Sequence, residues 1–270
     1  MKKLHRQRLE GLSSGIEALD TATVTAVSVS ESCLGIEHTG RQNRALFILT
    51  KMISHNMSIL NLVQKAIDAP RNSSLLDHFS VAALGRVSID AAIMGLYISE
   101  PSLNKNQWNL RRHVLFYHDA INRKRFLSSM GKAANADMEQ SLSDYPEAKA
   151  TLSKAIDRYG LAEGLSTKQV DELKDGRVFI SGVRGAVREA GLNVDAFDGN
   201  NSYLSQFVHG YPVSFIRAAD HAIAFDEPSA YQKYLCNYVM ESVSGYTEAF
   251  ANRMQNFCGH IAKDPLGPVE

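Results

Sequence analysis

The chain has 270 residues, with 29 Lys and Arg against 29 Asp and Glu and a hydrophobic share of 44%. That balance excludes a disordered chain, which needs low hydrophobicity and a charge excess, and argues against a broad basic surface for nucleic acid. The length allows one large domain or two small ones, with ample core.

No apolar run approaches the roughly 20 residues that span a bilayer; the best, Ala91 to Ile98, is far shorter. The basic start MKKLHRQRLEGLSSG has no apolar region behind it and does not read as a secretory signal. Cys33, Cys236 and Cys258 are odd in number and lack CxxC spacing. They read as buried or half-buried thiols of a reducing cytoplasm, not as a disulfide framework or a zinc site.

In chain order, residues 1–14 read as a flexible polar tail. Residues 15–34 suit a helix, although TVTAVSVS alternates at period two, so a strand over 21–30 stays open. Residues 41–67 form an amphipathic helix carrying Leu46, Phe47, Ile53, Met57, Leu60 and Val63, ended by Pro70 and Asn72. Residues 74–99 are the most apolar segment, capped by Ser73 or Ser74 and stopped by Pro101. A long helix follows over 104–130, ended by Gly131. Asp144 and Pro146 open a helix to Tyr159, with Gly160 as its cap. Ser166 with Gln169 is a capping box for a short helix ending at Gly176. Another helix occupies 177–190 and closes at Gly191. Asn201 or Ser202 caps a helix through His209, broken by Gly210, Tyr211 and Pro212. After Pro228 a helix runs to about residue 262, with Tyr231, Leu235, Tyr238 and Val239 inward. The sum is an all-α fold, a single helical bundle over 15–270 with long central helices and a small, more polar helical excursion over 132–176.

Within the apolar helix, Arg86 and Asp90 stand out. Arg and Asp are almost never buried unless paired, and at i and i+4 these two can meet on one face. They read either as an ion pair that sets the register of the bundle or as the floor of a polar pocket. Next come Arg111, Arg112, His113, His118, Asp119, Asn122 and Arg123. Arg111, His118 and Asn122 share a polar stripe between Leu110, Val114 and Ile121 on one side and Leu115 and Phe126 on the other. Such a stripe suits half-burial against another polar group; a solvated face with surface ion pairs is the alternative. Ser205 and His209, at i and i+4, suit a nucleophile and base, or a simple hydrogen bond; no GxSxG elbow exposes the serine. Arg177, Arg184 and Arg188, with Lys174, make the best basic patch, read as recurring along one short helix. Gly182 and Gly185 have the GxxG spacing of a phosphate clamp but read as a close helix contact, with no strands around them. HExxH, Glu-x-x-His and P-loop motifs are absent, so no metal and no cofactor is expected.

The order of these pieces carries a resemblance. Arg86-x-x-x-Asp90 precedes an Arg-rich helix with Arg112, Asp119 and Arg123, then VRGAVREAG over 183–191, then Tyr203-Leu-Ser205 and His209-Gly210. Over roughly residues 45–260 this resembles a widespread bacterial all-helical family catalogued as a domain of unknown function, which implies a helical fold and no established activity. Asp90 stands where that family carries the longer Glu. More distantly the chain resembles HEPN helical bundles, many of them metal-independent ribonucleases of toxin and phage-defence systems. Their signature is an Arg, four to six residues, then a His. Arg111 or Arg112 with His118 fits, as do Arg71 with His78 and Arg253 with His260. The resemblance implies His118 as acid or base and Arg111 or Arg112 on phosphate.

Three readings follow. In the first, Arg86, Asp90, His118, Asp119, Ser205 and His209, with Tyr203, converge on one site that acts on RNA or a nucleotide. In the second, the polar core is structural, and the protein is a non-catalytic binding or scaffold protein that forms a homodimer or a partner interface. In the third, Asp90, Asp119, His118 and His209 hold a metal for hydrolysis. No membrane partner is expected.

Overall fold

The computed structural model describes residues 10–69, 75–130, 136–224, 227–258 and 264–267, with the side chains of 136–139 and 141 excepted. The helix stops expected at Pro70, Asn72 and Gly131, the caps at Ser73 or Ser74, and most of the expected tail lie outside the described residues. The helices are α1 (Ser13–Ser32), α2 (Gly40–Asp68), α3 (His78–Ile98), α4 (Lys105–Met130), α5 (Ala136–Ala162), α6 (Thr167–Lys174), α7 (Gly182–Glu189), α8 (Val194–Val208) and α9 (Ala230–Cys258). A 3-10 turn, Pro212–Ser214, follows α8. The fold is all-α; the described residues contain no strand, and TVTAVSVS lies inside α1.

Four helix starts share one device. Thr39 and Gln42 form a capping box at α2, and Ser166 and Gln169 another at α6. Asn104 with Gln107 opens α4, and Ser229 with Gln232 opens α9, by the same reciprocal bonds. Asp77 caps α3 through Ser80 N–H, and Asn193 caps α8 through Ala196 N–H.

Four expected boundaries move. Pro146 lies inside α5, and Gly160 continues that helix rather than ending it. A Cβ at Gly160 would sit 2.8 Å from Val170 Cγ2, so this glycine serves the α5–α6 contact. The helix expected over 177–190 is only α7, because 177–181 is irregular and Gly182 has φ +70°. The helix expected to start at Asn201 or Ser202 starts at Val194, which leaves both residues in mid-helix.

The chain divides into two compact units: residues up to Pro101 with those from Val187 onward, and Ser102–Ala186. The stretch 132–176 lies within the second of these units, together with α4. In the first unit α9 packs on α1, α3 and α2, while α3 packs on α2 and α8. Leu49, Ile59, Ile89, Ile93 and Phe250 are wholly buried there. A Cβ at Gly95 would run into the Phe250 ring, and one at Gly85 into Val239, so two glycines set the α3–α9 approach. Ser88 Oγ donates to Asn56 Oδ1 (2.6 Å), and Asn56 Nδ2 donates to Thr247 Oγ1 (2.9 Å), which pins α2, α3 and α9 together. In the second unit α4 packs on α5 and α6 around Leu110, Val114, Tyr117, Ile156, Val170 and Leu173.

The inner face of α2 differs from expectation. Ile53 and Val63 are buried, but Phe47 is 78% and Met57 51% exposed, while Arg41, Gln42 and Asn56 point inward. By length and composition α2 and α3 are also apolar enough to cross a bilayer, although no long apolar run was expected. Thr50, Ser54 and Ser58 interrupt α2, and Ser80, Gly85, Ser88 and Gly95 interrupt α3. The α3 window is 67% buried in the fold, as in the core helix of a bundle, against 33% for α2.

Candidate functional site: a closed polar junction around Arg86

Arg86 leaves the apolar surface of α3 and meets α8. Its Nε donates to Ser205 Oγ (3.2 Å), and its Nη2 donates to Asn201 Oδ1. Nη1 is buried and forms the expected ion pair with Asp90, without an aligned hydrogen bond. Asp90 itself is not buried: half of its side chain is exposed, so α3 opens to solvent at that point. Ser205 Oγ donates to Asn201 C=O (2.5 Å), which takes up the hydroxyl proton. His209 is exposed, follows the end of α8, and lays its ring against Tyr211 (centroids 5.2 Å apart). The Ser205–His209 pair expected as nucleophile and base is therefore not assembled.

Tyrosines complete the junction. Tyr203 and Tyr231 share a hydroxyl–hydroxyl hydrogen bond of 2.5 Å, and His221 stacks on Tyr231 at 3.8 Å between centroids. Tyr238 donates to Asn200 Oδ1 (2.7 Å), and Tyr246 reaches the same residue. Burial, then the bond to Tyr231, pushes the Tyr203 hydroxyl far above the ordinary phenol range. Burial also raises Tyr246, against a lowering contribution from Arg86. Tyr203 and Tyr246 therefore hold their protons at neutral pH and do not serve as bases.

The second expected set lies in the other unit, on α4. Asn122 Nδ2 donates to His118 C=O (2.9 Å) and touches the His118 ring at 3.2 Å, so the i, i+4 part of the stripe forms. Arg111 is buried and Arg112 half-buried. Asp119 and Arg123 form an exposed pair at 2.8 Å. Phe126, expected on an apolar flank, is 53% exposed. His113 Nδ1 donates to Asn109 C=O (2.6 Å) and its ring stacks on Tyr159; burial lowers its pKa. A groove of about 640 Å³ runs between α4 and α5, lined by Phe116, Asp119, Arg123, Lys124, Tyr145 and Glu147 among others. The nine-residue site set thus divides: Arg86, Asp90, Tyr203, Ser205 and His209 belong to one unit, and Arg111, Arg112, His118 and Asp119 to the other.

The basic patch changes most. Arg177 lies in the irregular stretch and pairs with Glu172 at 2.6 Å. Lys174 ends α6 and pairs with Asp157 at 2.8 Å; bonding to Asp157 raises its pKa. Only Arg184 and Arg188 share α7. The GxxG spacing opens that helix rather than lying within it.

One buried charge cluster carries no sequence signal. Arg41 Nη1 pairs with Asp264 Oδ1 (3.1 Å), both side chains 1% exposed. Arg41 Nε donates to Ile98 C=O (2.7 Å), Nη2 donates to Glu100 C=O, and the guanidinium lies over Phe257. Thr39 Oγ1 donates to the other Asp264 oxygen (2.9 Å), and Arg253 pairs with Glu100 at 2.9 Å. Helix starts and ends meet here, so the cluster joins chain segments, and Arg253 and Phe257 also line an adjoining open groove of about 410 Å³.

Among the described residues no group of three or more His, Cys, Asp or Glu is placed to hold a metal. All three cysteines are buried and free, and burial raises each thiol. Compared with protein-family models, with curated proteins and with solved structures, the chain matches none significantly.

Proposed function

We propose that this is a non-catalytic helical scaffold or binding protein, in which the polar junction around Arg86 is structural. One observation carries the reading: Asn201, Ser205 and Asp90 occupy the Arg86 guanidinium, and the Ser205 proton is committed to a backbone carbonyl. A junction satisfied in this way holds α8 on α3. It offers neither a nucleophile nor an unengaged cation for a substrate. The reading places the protein in a reducing compartment such as the cytoplasm, where buried free thiols persist. Arg86→Leu and Ser205→Ala test it by thermal melting. The first is expected to cost about 2–4 kcal/mol and the second about 1 kcal/mol. Unchanged melting of both variants would remove the structural role.

The second reading, action on RNA or a nucleotide, draws support from α4. His118 and Asn122 meet on the face that Arg111 shares, beside the groove bearing Asp119, Arg123 and Lys124. In that reading His118 is the acid or base. Labelled RNA incubated with the native chain and with His118→Ala separates the two. Cleavage lost in the variant would establish the second reading, and no cleavage by either favours the scaffold.

A further inference from the structure

Two neighbouring helices, α1 and α2, turn outward faces of opposite charge. Along α1, Ser13, Glu17, Asp20, Val24, Ser28 and Glu31 fall on one exposed stripe, and α1 contains no Lys or Arg. Along α2, Lys51 and Lys65 stand exposed, and its sole carboxylate, Asp68, is its last residue. None of Glu17, Asp20, Glu31, Lys51 and Lys65 takes part in an ion pair among the described residues.

The spacing matches. Glu17, Val24 and Glu31 recur every seven residues, and so do Lys51, Ser58 and Lys65. A seven-residue repeat drifts only about 20° around a helix, and fourteen residues rise about 21 Å. The two acids on α1 therefore span the same length as the two lysines on α2.

The surface between the charges is suited to a dry contact. Phe47, Met57 and Val24 are 78%, 51% and 58% exposed. Thr50, Ser54 and Ser58 line α2 between these knobs, and each hydroxyl donates to the carbonyl four residues back (3.1, 3.0 and 2.8 Å). Thr25 on α1 does the same to Thr21 (3.0 Å). Hydroxyls satisfied within their own helix can be covered without leaving a donor stranded.

We propose that these faces form a two-fold interface with a second copy of this chain, with α1 of each copy lying along α2 of the other. Charge complementarity selects this occupant. A two-fold operation brings each acidic stripe onto a basic one, and one patch then serves both copies. Phe47, Met57 and Val24 supply the apolar contact, while the charges fix register and favour the correct pairing. The inference deepens the scaffold reading by naming its partner. It does not depend on Arg86, whose variants are expected to leave association unchanged.

Sedimentation velocity of the full chain from about 1 to about 100 µM tests it. The native chain is expected to sediment as a dimer that weakens at high salt. Lys51→Glu with Lys65→Glu is expected to weaken association by at least about tenfold, as is Glu17→Lys with Glu31→Lys. Mixing these two variants restores every complementary pair, so the mixture is expected to dimerise although neither variant does alone. Circular dichroism checks that both variants remain helical, and the mixing arm reads the interface even if one of them is less stable. A native chain that stays monomeric throughout the range overturns the proposal. So does a dimer indifferent to both charge reversals, or a monomer that instead co-sediments with anionic phosphatidylglycerol vesicles.

Discussion

Arg86 and Arg41 are both engaged cations, yet only one announces itself. Arg86 interrupts an apolar helix, where a charge needs a partner, and Asp90 stands one turn on. Arg41 follows a helix cap among polar residues, where an arginine normally faces water. Its partner Asp264 lies more than two hundred residues away, beyond the reach of any spacing rule. The Arg41–Asp264 pair is nevertheless the more consequential, because removing one member leaves a buried charge. Asp264→Ala is expected to cost about 3–5 kcal/mol, and the pair replaced together by Met and Leu much less; denaturant melts of the two variants check this. His78 offers a pH test. Burial lowers its pKa below the ordinary 6.5, so the folded state prefers the neutral ring. Its contribution is complete above that value and is lost as pH falls through it toward the lower folded value. Thermal midpoints from about pH 7.5 to about pH 5 are expected to fall more steeply for the native chain than for His78→Gln.

At the level of elements, helix existence was legible because long apolar periodicities and punctuation by Gly and Pro persist throughout the chain. Phase was less so. The face of α2 was read from its largest apolar residues, yet Phe47 and Met57 face out while Asn56 and Gln42 face in, held by Thr247 and the Phe257 carbonyl. A polar residue with a distant partner looks the same in sequence as one exposed to water. The glutamine caps make the point testable. Gln42 donates its amide to Phe257 C=O (2.6 Å), whereas Gln169 is exposed. Gln42→Glu sets a carboxylate against that carbonyl and is expected to cost about 1–3 kcal/mol. Gln169→Glu keeps its box, suits the helix start, and is expected to stay within about 0.5 kcal/mol. Gly95→Ala, which drives a methyl group into Phe250, is expected to cost roughly 1–3 kcal/mol or more. Melting curves of all three give the ranking.

At the scale of the whole molecule, the sequence showed a fold class and a chemically marked arginine, but not the division into units. Helical periodicity reports which face is covered, not which helix covers it. For that reason the sequence did not show that His118 and Asp119 belong to a different unit from Arg86. The single tryptophan, Trp108, lies buried in the second unit and reports on it alone. Leu173→Ala is expected to lower the stability seen by Trp fluorescence in urea by about 2–5 kcal/mol. Part of the circular dichroism signal, from the first unit, is expected to unfold where it did before.

The long interruption between α3 and α9 also imposes an order on folding. The second unit closes within one continuous stretch, Ser102–Ala186, and has every contact it needs soon after it is made. The first unit does not, because α1, α2 and α3 all pack on a helix that ends at Cys258. At about 5–20 residues per second, synthesis from the end of α3 to the end of α9 takes on the order of 8–30 s. During that interval Gly85 and Gly95 on α3 lack Val239 and Phe250, the side chains that finally cover them. The glycine-lined seat for Phe250 on α3 stands ready well before its occupant is made. A growing chain of this protein is thus a natural client for chaperones until its last long helix arrives.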